Sequence, residues 1–248
     1  SGDTRTIALG LGGFASRQTV TAGSSVHQSA HAVRTKVLKM AAHLLEAAEA
    51  DLELADGEVR VKGSDVSVTL QQVAEMAAGA PGYSMPKNVD PGLEAEVNFK
   101  PPALTYSNGV QAVEVEVDID TGDVTFQNYV VVSDCGTLIN PMIVEGQVHG
   151  GVAQGIGQAL LEGCSYDEDG QLLTGSFMDY AMPRAHNLPS FKVATEETLC
   201  AHNSLGVKGC GEVGAIGSPP AVINAVVDAL SDMGVTDVAM PATPQTVW

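Results

Sequence analysis

The chain has 248 residues, enough for one large domain or two small ones with an ample core. Its 30 acidic residues against 12 basic ones give a formal charge of −18, which argues against a nucleic-acid partner and reads as a solvated, self-repelling surface. No apolar run approaches the ~20 residues needed to span a bilayer, so no membrane span is expected.

Residues 4–9 alternate enough to predict a strand that runs into a glycine-rich loop over 10–18. The Ala/Leu/Val spacing, free of proline, predicts a helix over 24–50. Two short strands should flank the Asp56-Gly57 turn, and 69–78 reads as a short amphipathic helix with Thr69 or its neighbour as cap. Residues 81–102 carry Pro86, Pro91, Gly92 and Pro101 and read as an extended surface loop or crossover. The clearest hairpin joins 110–119 to 124–133 through Thr121-Gly122-Asp123. Val113, Val115 and Val117 alternate there with Glu114, Glu116 and Asp118, one face buried and one wet. Asn140-Pro141 should cap and start a helix that reaches Glu162. After a turn at 167–170 and a strand at 191–196, Ser218 reads as the N-cap, with Pro219 as first residue, of a last helix over 221–230. Strands and helices intersperse without a regular βαβ rhythm, so the fold class is α+β, with mixed sheets and packed helices.

The N-terminus shows no signal-peptide pattern. A start without methionine fits a processed or separately encoded piece, and equally the trimming of Met before a small Ser. The four scattered cysteines (Cys135, Cys164, Cys200, Cys210) form no C-x-x-C and read as reduced, mostly buried thiols in a cytoplasmic protein.

Gly209, Gly211 and Gly214 spell G-x-G-x-x-G, the spacing of a dinucleotide loop. A helix beginning only after Ser218 argues against that reading, as does Asp228, the acid at the right distance, which falls in helical sequence. Gly10-x-Gly12-x-x-Ala15 is a second near-match, with no acid before Glu46. Its Ser16, Arg17 and Gln18 fit either an ordinary turn or a phosphate-facing loop. The helix from 141 contains Gly146, Gly150, Gly151, Gly155 and Gly157, each ~1 kcal/mol worse than Ala. Another helix or a ligand must therefore approach its backbone, near Gln147, His149 and Gln154. His27 and His31 stand four apart on a helix but lack the glutamate of a zincin, and no metal ligand is assigned. Glu212, between glycines, is either a surface turn residue or a carboxylate brought close to a ligand, where partial burial would make it a general base.

Three stretches, in order, are similar to the molybdenum-binding subunit of the xanthine dehydrogenase/aldehyde oxidase family. They are Gly12-Gly-Phe-Ala-Ser-Arg-Gln18, Asp134-Cys-Gly-Thr-Leu-Ile-Asn-Pro continuing to Gly157, and Gly206-Val-Lys-Gly-Cys-Gly-Glu-Val-Gly214 with its following Pro-Pro-Ala-Val-Ile-Asn-Ala-Val. Gly175-Ser-Phe-Met-Asp-Tyr-Ala-Met-Pro183 agrees. The resemblance covers nearly the whole chain and looks closest to bacterial aerobic carbon monoxide dehydrogenase large subunits. It implies that 1–248 is the C-terminal molybdenum-cofactor-binding region, with two intertwined subdomains of about 1–105 and 106–248.

The same resemblance implies a reaction. A molybdenum-bound hydroxide attacks a C–H carbon of a small aldehyde, purine or N-heteroaromatic, and hydride moves to a sulfido ligand. Glu212 matches the base that deprotonates the hydroxide, and Gln147 the glutamine near the oxo group. Gly13, Phe14, Ala15, Ser16, Arg17 and Gln18 match the loop around the pterin and its phosphate, and Gly211 joins the cofactor-binding set. The implied cofactor is molybdenum–molybdopterin in its cytosine dinucleotide form. Implied partners are a chain carrying the N-terminal half of the molybdenum subunit, an FAD subunit and a 2Fe-2S subunit. Two alternatives stay open: carbon monoxide oxidation at a Mo–Cu centre, and a non-catalytic assembly partner.

Overall fold

A computed structural model describes residues 3–5, 10 and 12–248; most of the strand expected at 4–9 lies outside them. The chain divides into two compact units, one of Thr21–Lys100 and one of Ser1–Val20 with Pro101–Trp248.

In the contiguous unit, α1 (Ser24–Leu45) follows a π-helical turn at Thr19–Gly23. α1 stops short of residue 50 because Glu46 adopts a left-handed conformation, φ 48°, and a 3₁₀ turn at Glu49–Asp51 leads into β1. β1 (Leu52–Ala55), β2 (Glu58–Val61) and β3 (Ser67–Thr69) form an antiparallel sheet around the Asp56-Gly57 turn. The sequence reading missed β3, whose three residues are too few to show a period. α2 (Leu70–Ala77) starts at Thr69 with a full capping box: Thr69 Oγ1 accepts from Gln72 N at 3.2 Å, and Gln72 Oε1 accepts from Thr69 N at 2.9 Å. Val37, Met40 and Ala41, spaced three and four apart on α1, bury against Leu52, Val59 and Val68 of the sheet and Val73 and Met76 of α2. Residues 81–102 form no helix or strand, as their prolines demand.

In the discontinuous unit, β4 (Asn108–Val117) and β5 (Val124–Asp134) form the expected hairpin, with a bulge at Glu114/Val115. β6 (Phe191–Thr195) runs parallel to β5 at its other edge. Two helices complete the unit's core: α3 (Pro141–Leu160), capped where Asn140 Oδ1 accepts from Ile143 N at 3.2 Å, and α4 (Val213–Ala229). Tyr129 of β5 is fully buried in that core. Its hydroxyl shares one proton between Gln111 Oε1 (2.7 Å) and Ser218 Oγ (2.9 Å), and burial pushes its pKa up to about 12, the Ser218 bond partly opposing.

The expected start of the last helix at Ser218 is wrong. Pro219 and Pro220 lie inside α4, where an interior proline ordinarily costs ~3 kcal/mol. Ile216 N donates to Glu212 O at 3.0 Å, so a helical turn closes ahead of the prolines. What holds it is packing. A Cβ on Gly151 would stand 2.8 Å from Ala215 N, and one on Gly155 would collide with the Ser218 side chain. Ser218 Oγ donates to Val152 O at 3.1 Å, and Gln111 Nε2 donates to Gly214 O at 2.8 Å. Two of the puzzling glycines of α3 thus exist to let α4 approach.

Candidate active site

Three segments of the discontinuous unit converge: the 12–18 loop, the exposed face of α3, and the 207–212 loop that leads into α4. Ala15 (φ 57°) and Ser16 (φ 52°) are consecutive non-glycine residues in the left-handed region, a strain of ~1–3 kcal/mol each that tertiary contacts must offset. This turn sets the Ser16 carbonyl oxygen against Gly209, where a Cβ would collide with it, and sends Ser16 Oγ to donate to Glu212 Oε2 at 2.8 Å. Gln18 folds back on Gly13, so that a Cβ there would lie 2.6 Å from its Nε2. The Arg17 guanidinium carbon stands 4.2 Å from the centroid of the exposed Phe14 ring.

Gln147 projects from the exposed face of α3, its Oε1 3.7 Å from the place a Cβ on Gly211 would take. Gly146 and Gly150 flank it with no atom within 4 Å of an added Cβ, so bare backbone surrounds this amide. Gln147, Gly211, Ser16 and Glu212 therefore meet at one place. His149 does not join them, since its ring packs on Phe191 with centroids 5.5 Å apart. Gln154 is exposed farther along α3. Glu212 itself is exposed, so the burial that would make it a base is not provided by this chain.

The 207–212 loop is held from behind by residues that the sequence reading did not single out. Lys208 Nζ donates to Asp134 Oδ2 at 2.7 Å, both side chains about nine-tenths buried. Asp134 Oδ1 accepts from Gly136 N (2.9 Å) and Thr198 N (3.2 Å). Burial alone would raise the Asp134 pKa, but the ammonium and these amides hold it well below the usual carboxylate range. The signal was a lone lysine in a glycine run and an aspartate ending an apolar strand. Beside them the Cys135 and Cys210 thiols interact, an interaction that lowers the Cys210 pKa against its burial and, with burial, pushes that of Cys135 up. Cys164, expected among buried thiols, is exposed because it falls in the open segment after α3.

With α4 starting at Val213, one condition for a dinucleotide loop is met after all. The others fail: no strand leads into Gly209, Asp228 lies within α4, and a Cβ on Gly214 would stand 2.5 Å from Val148 O. Gly209 and Gly214 serve chain packing, against Ser16 and α3. His27 and His31 stack edge to face, 4.5 Å between centroids, and among the described residues no three His, Cys, Asp or Glu side chains converge as metal ligands.

Residues 1–189 match the molybdopterin cofactor-binding domain. The chain belongs to that family. The molybdopterin cofactor-binding chain is 43% identical over 241 residues to the nicotine 6-hydroxylase large subunit of Paenarthrobacter nicotinovorans, covering 97% of this chain and 29% of that one. It is 38% identical over 248 residues to the carbon monoxide dehydrogenase large chain of Hydrogenophaga pseudoflava, covering 100% and 30%. Among solved structures, quinoline 2-oxidoreductase from Pseudomonas putida 86 superposes with a TM-score of 0.86 at 40% identity, over 96% of this chain and 30% of that one. The α+β architecture is that of the quinoline 2-oxidoreductase chain, and this chain spans about 30% of the length of these relatives. No helix among the described residues is long and apolar enough to cross a membrane.

The residues present fit a molybdopterin group. Gly146 and Gly150 leave open backbone beside the Gln147 amide, a floor that any larger side chain would fill, and Gly211 closes its edge where a Cβ would meet Ser16 Oγ at 3.2 Å. Beside it lie the left-handed turn at Ala15 and Ser16 and the Arg17 guanidinium over Phe14.

Proposed function

We propose that this chain is the C-terminal, cofactor-binding part of a molybdenum hydroxylase large subunit, and that Glu212 is its general base. The convergence of Ser16, Gln147, Gly211 and Glu212 carries the reading. When bound, the molybdenum–molybdopterin group, in its cytosine dinucleotide form, supplies activation of an oxygen nucleophile and a two-electron sink. The substrate class is a small N-heteroaromatic, aldehyde or purine with an electrophilic C–H carbon. The nicotine and quinoline relatives favour the first of these.

The chain's own residues do the following. Ser16 Oγ ties down Glu212 Oε2, which leaves Oε1 to take the proton from the nucleophile. Gln147 offers an amide donor and acceptor at the same edge. Gly211, Gly146 and Gly150 let the group approach backbone directly. Gly13, Phe14, Ala15, Ser16, Arg17 and Gln18 wrap its anionic part, the guanidinium meeting phosphate. The remaining two-thirds of the relatives' length then belongs to a partner chain or segment that covers Glu212. FAD and 2Fe-2S subunits carry the electrons away, and the cytoplasm is the compartment that suits unbridged thiols.

The native complex, with its chains identified by mass and its metals assayed, tests this reading. Molybdenum without copper is expected; a complex lacking molybdenum refutes the proposal. Stoichiometric copper would instead favour carbon monoxide oxidation, as in the 38% identical relative. Glu212→Gln should keep molybdenum and nearly abolish turnover; normal turnover removes Glu212 from the mechanism.

A further inference from the structure

The geometry points to Asp134 and Lys208 as positioning residues that aim Glu212. The inference rests on the reading of Glu212 as the base. Glu212 is exposed, and the loop before it contains Gly209 and Gly211, so its own backbone does little to fix its direction. Direction must come from both ends of the loop. At the far end, Val213 starts α4, whose next residues Gly214 and Ala215 are locked against Gly151 and Val148 of α3. At the near end stands the Lys208–Asp134 pair, 2.7 Å apart.

That pair is attached on every side. Asp134 closes β5 and takes the amides of Gly136 and Thr198 on its other oxygen, so its carboxylate is fixed to the sheet and to the segment after β6. Lys208 N also donates to Cys135 O at 2.8 Å, and Asn203 accepts from and donates to the backbone of Val207. The ammonium is therefore held at one point four residues ahead of Glu212. From that point Gly209 passes under the Ser16 carbonyl, where no side chain fits, and Glu212 arrives 2.8 Å from Ser16 Oγ. A shift of Lys208 would displace Gly209 against Ser16 and break the bond that orients the carboxylate.

The structural alternative is that the pair only stabilises the fold. Buried pairs separate these roles well, because removing one partner leaves an unpaired buried charge, whereas neutralising both is often tolerated. Lys208→Met should lower thermal stability and cofactor loading. Asp134→Asn/Lys208→Met in the native complex should regain both, since no buried charge remains. If the pair aims Glu212, turnover per bound molybdenum stays depressed in the double variant, by ~100-fold for a displacement of about 1 Å. Its KM should change little, and a crystal structure should show the Ser16 Oγ–Glu212 Oε2 bond lost. Lys208→Arg keeps the charge but not the compact ammonium, and should show the same loss per molybdenum with loading intact.

Wild-type turnover per molybdenum in the double variant or in Lys208→Arg, or an unmoved Glu212 in the crystal, overturns the inference. Glu212→Gln in parallel keeps the two ideas apart. If it is inactive while the pair variants are fully active, the base survives and the positioning role falls.

Discussion

Gly214→Ala links packing to chemistry most directly. The new Cβ would lie 2.5 Å from Val148 O, 2.8 Å from Val152 N and 3.1 Å from Gly151 C, all backbone of α3. None of these atoms can swing aside. Restoring an ordinary contact of 3.4 Å moves the first turn of α4 outward by roughly 0.9 Å, and Glu212 is the residue before that turn. Overpacking of this kind costs ~1–3 kcal/mol, while exchanging Gly for Ala in a helix returns up to ~1 kcal/mol. The net loss of about 0–3 kcal/mol should lower the melting temperature of the purified complex by only a few degrees. A 1 Å misplacement of a reacting group, by contrast, costs ~100-fold in rate. Turnover per molybdenum and the thermal midpoint should be measured together on the purified complex. Wild-type turnover per molybdenum in Gly214→Ala would refute the link between α3–α4 contact and the aim of Glu212.

Tyr129→Phe removes the proton shared by Gln111 and Ser218, and should cost ~1–2 kcal/mol in denaturant unfolding without changing molybdenum content. Thr69→Ala breaks the capping box of α2 and should cost ~1 kcal/mol, read as faster amide exchange in 70–77. The folded pKa of Asp134 is depressed, so its stabilisation is complete above the unfolded carboxyl value of about 3.9 and is lost as pH falls below it. Asp134→Asn should therefore flatten the acid limb of a stability–pH curve, although it lowers the plateau by leaving Lys208 unpaired.

What the sequence made legible was local. The Asp56-Gly57 and Thr121-Gly122-Asp123 hairpins, the Thr69 cap and the Asn140-Pro141 helix start are each decided within a few residues. The start of α4 was misread because proline rules describe an isolated helix. Here a facing helix with Gly151 and Gly155 compensates, and that compensation lies some 60 residues away. The glycines of α3 did announce a close approach, but not that one pair meets α4 and the other stays open. Ser16–Glu212 and Asp134–Lys208, separated by 196 and 74 residues, leave no periodic trace at all. The family resemblance brought Glu212, Gln147 and 13–18 forward together; only the fold could show the buried pair standing behind them.

The discontinuity of one unit has a consequence for biosynthesis. The core of Thr21–Lys100 draws on its own segment alone and can close soon after it leaves the ribosome. Ser16 emerges earlier still, yet its partner Glu212 follows 196 residues later, which is about 10–40 s at ordinary elongation rates. Throughout that interval the 12–18 loop lacks the residues that shape it. On the proposed site, loading of the cofactor would then follow translation, and whatever delivers the group would meet a chain that has already folded.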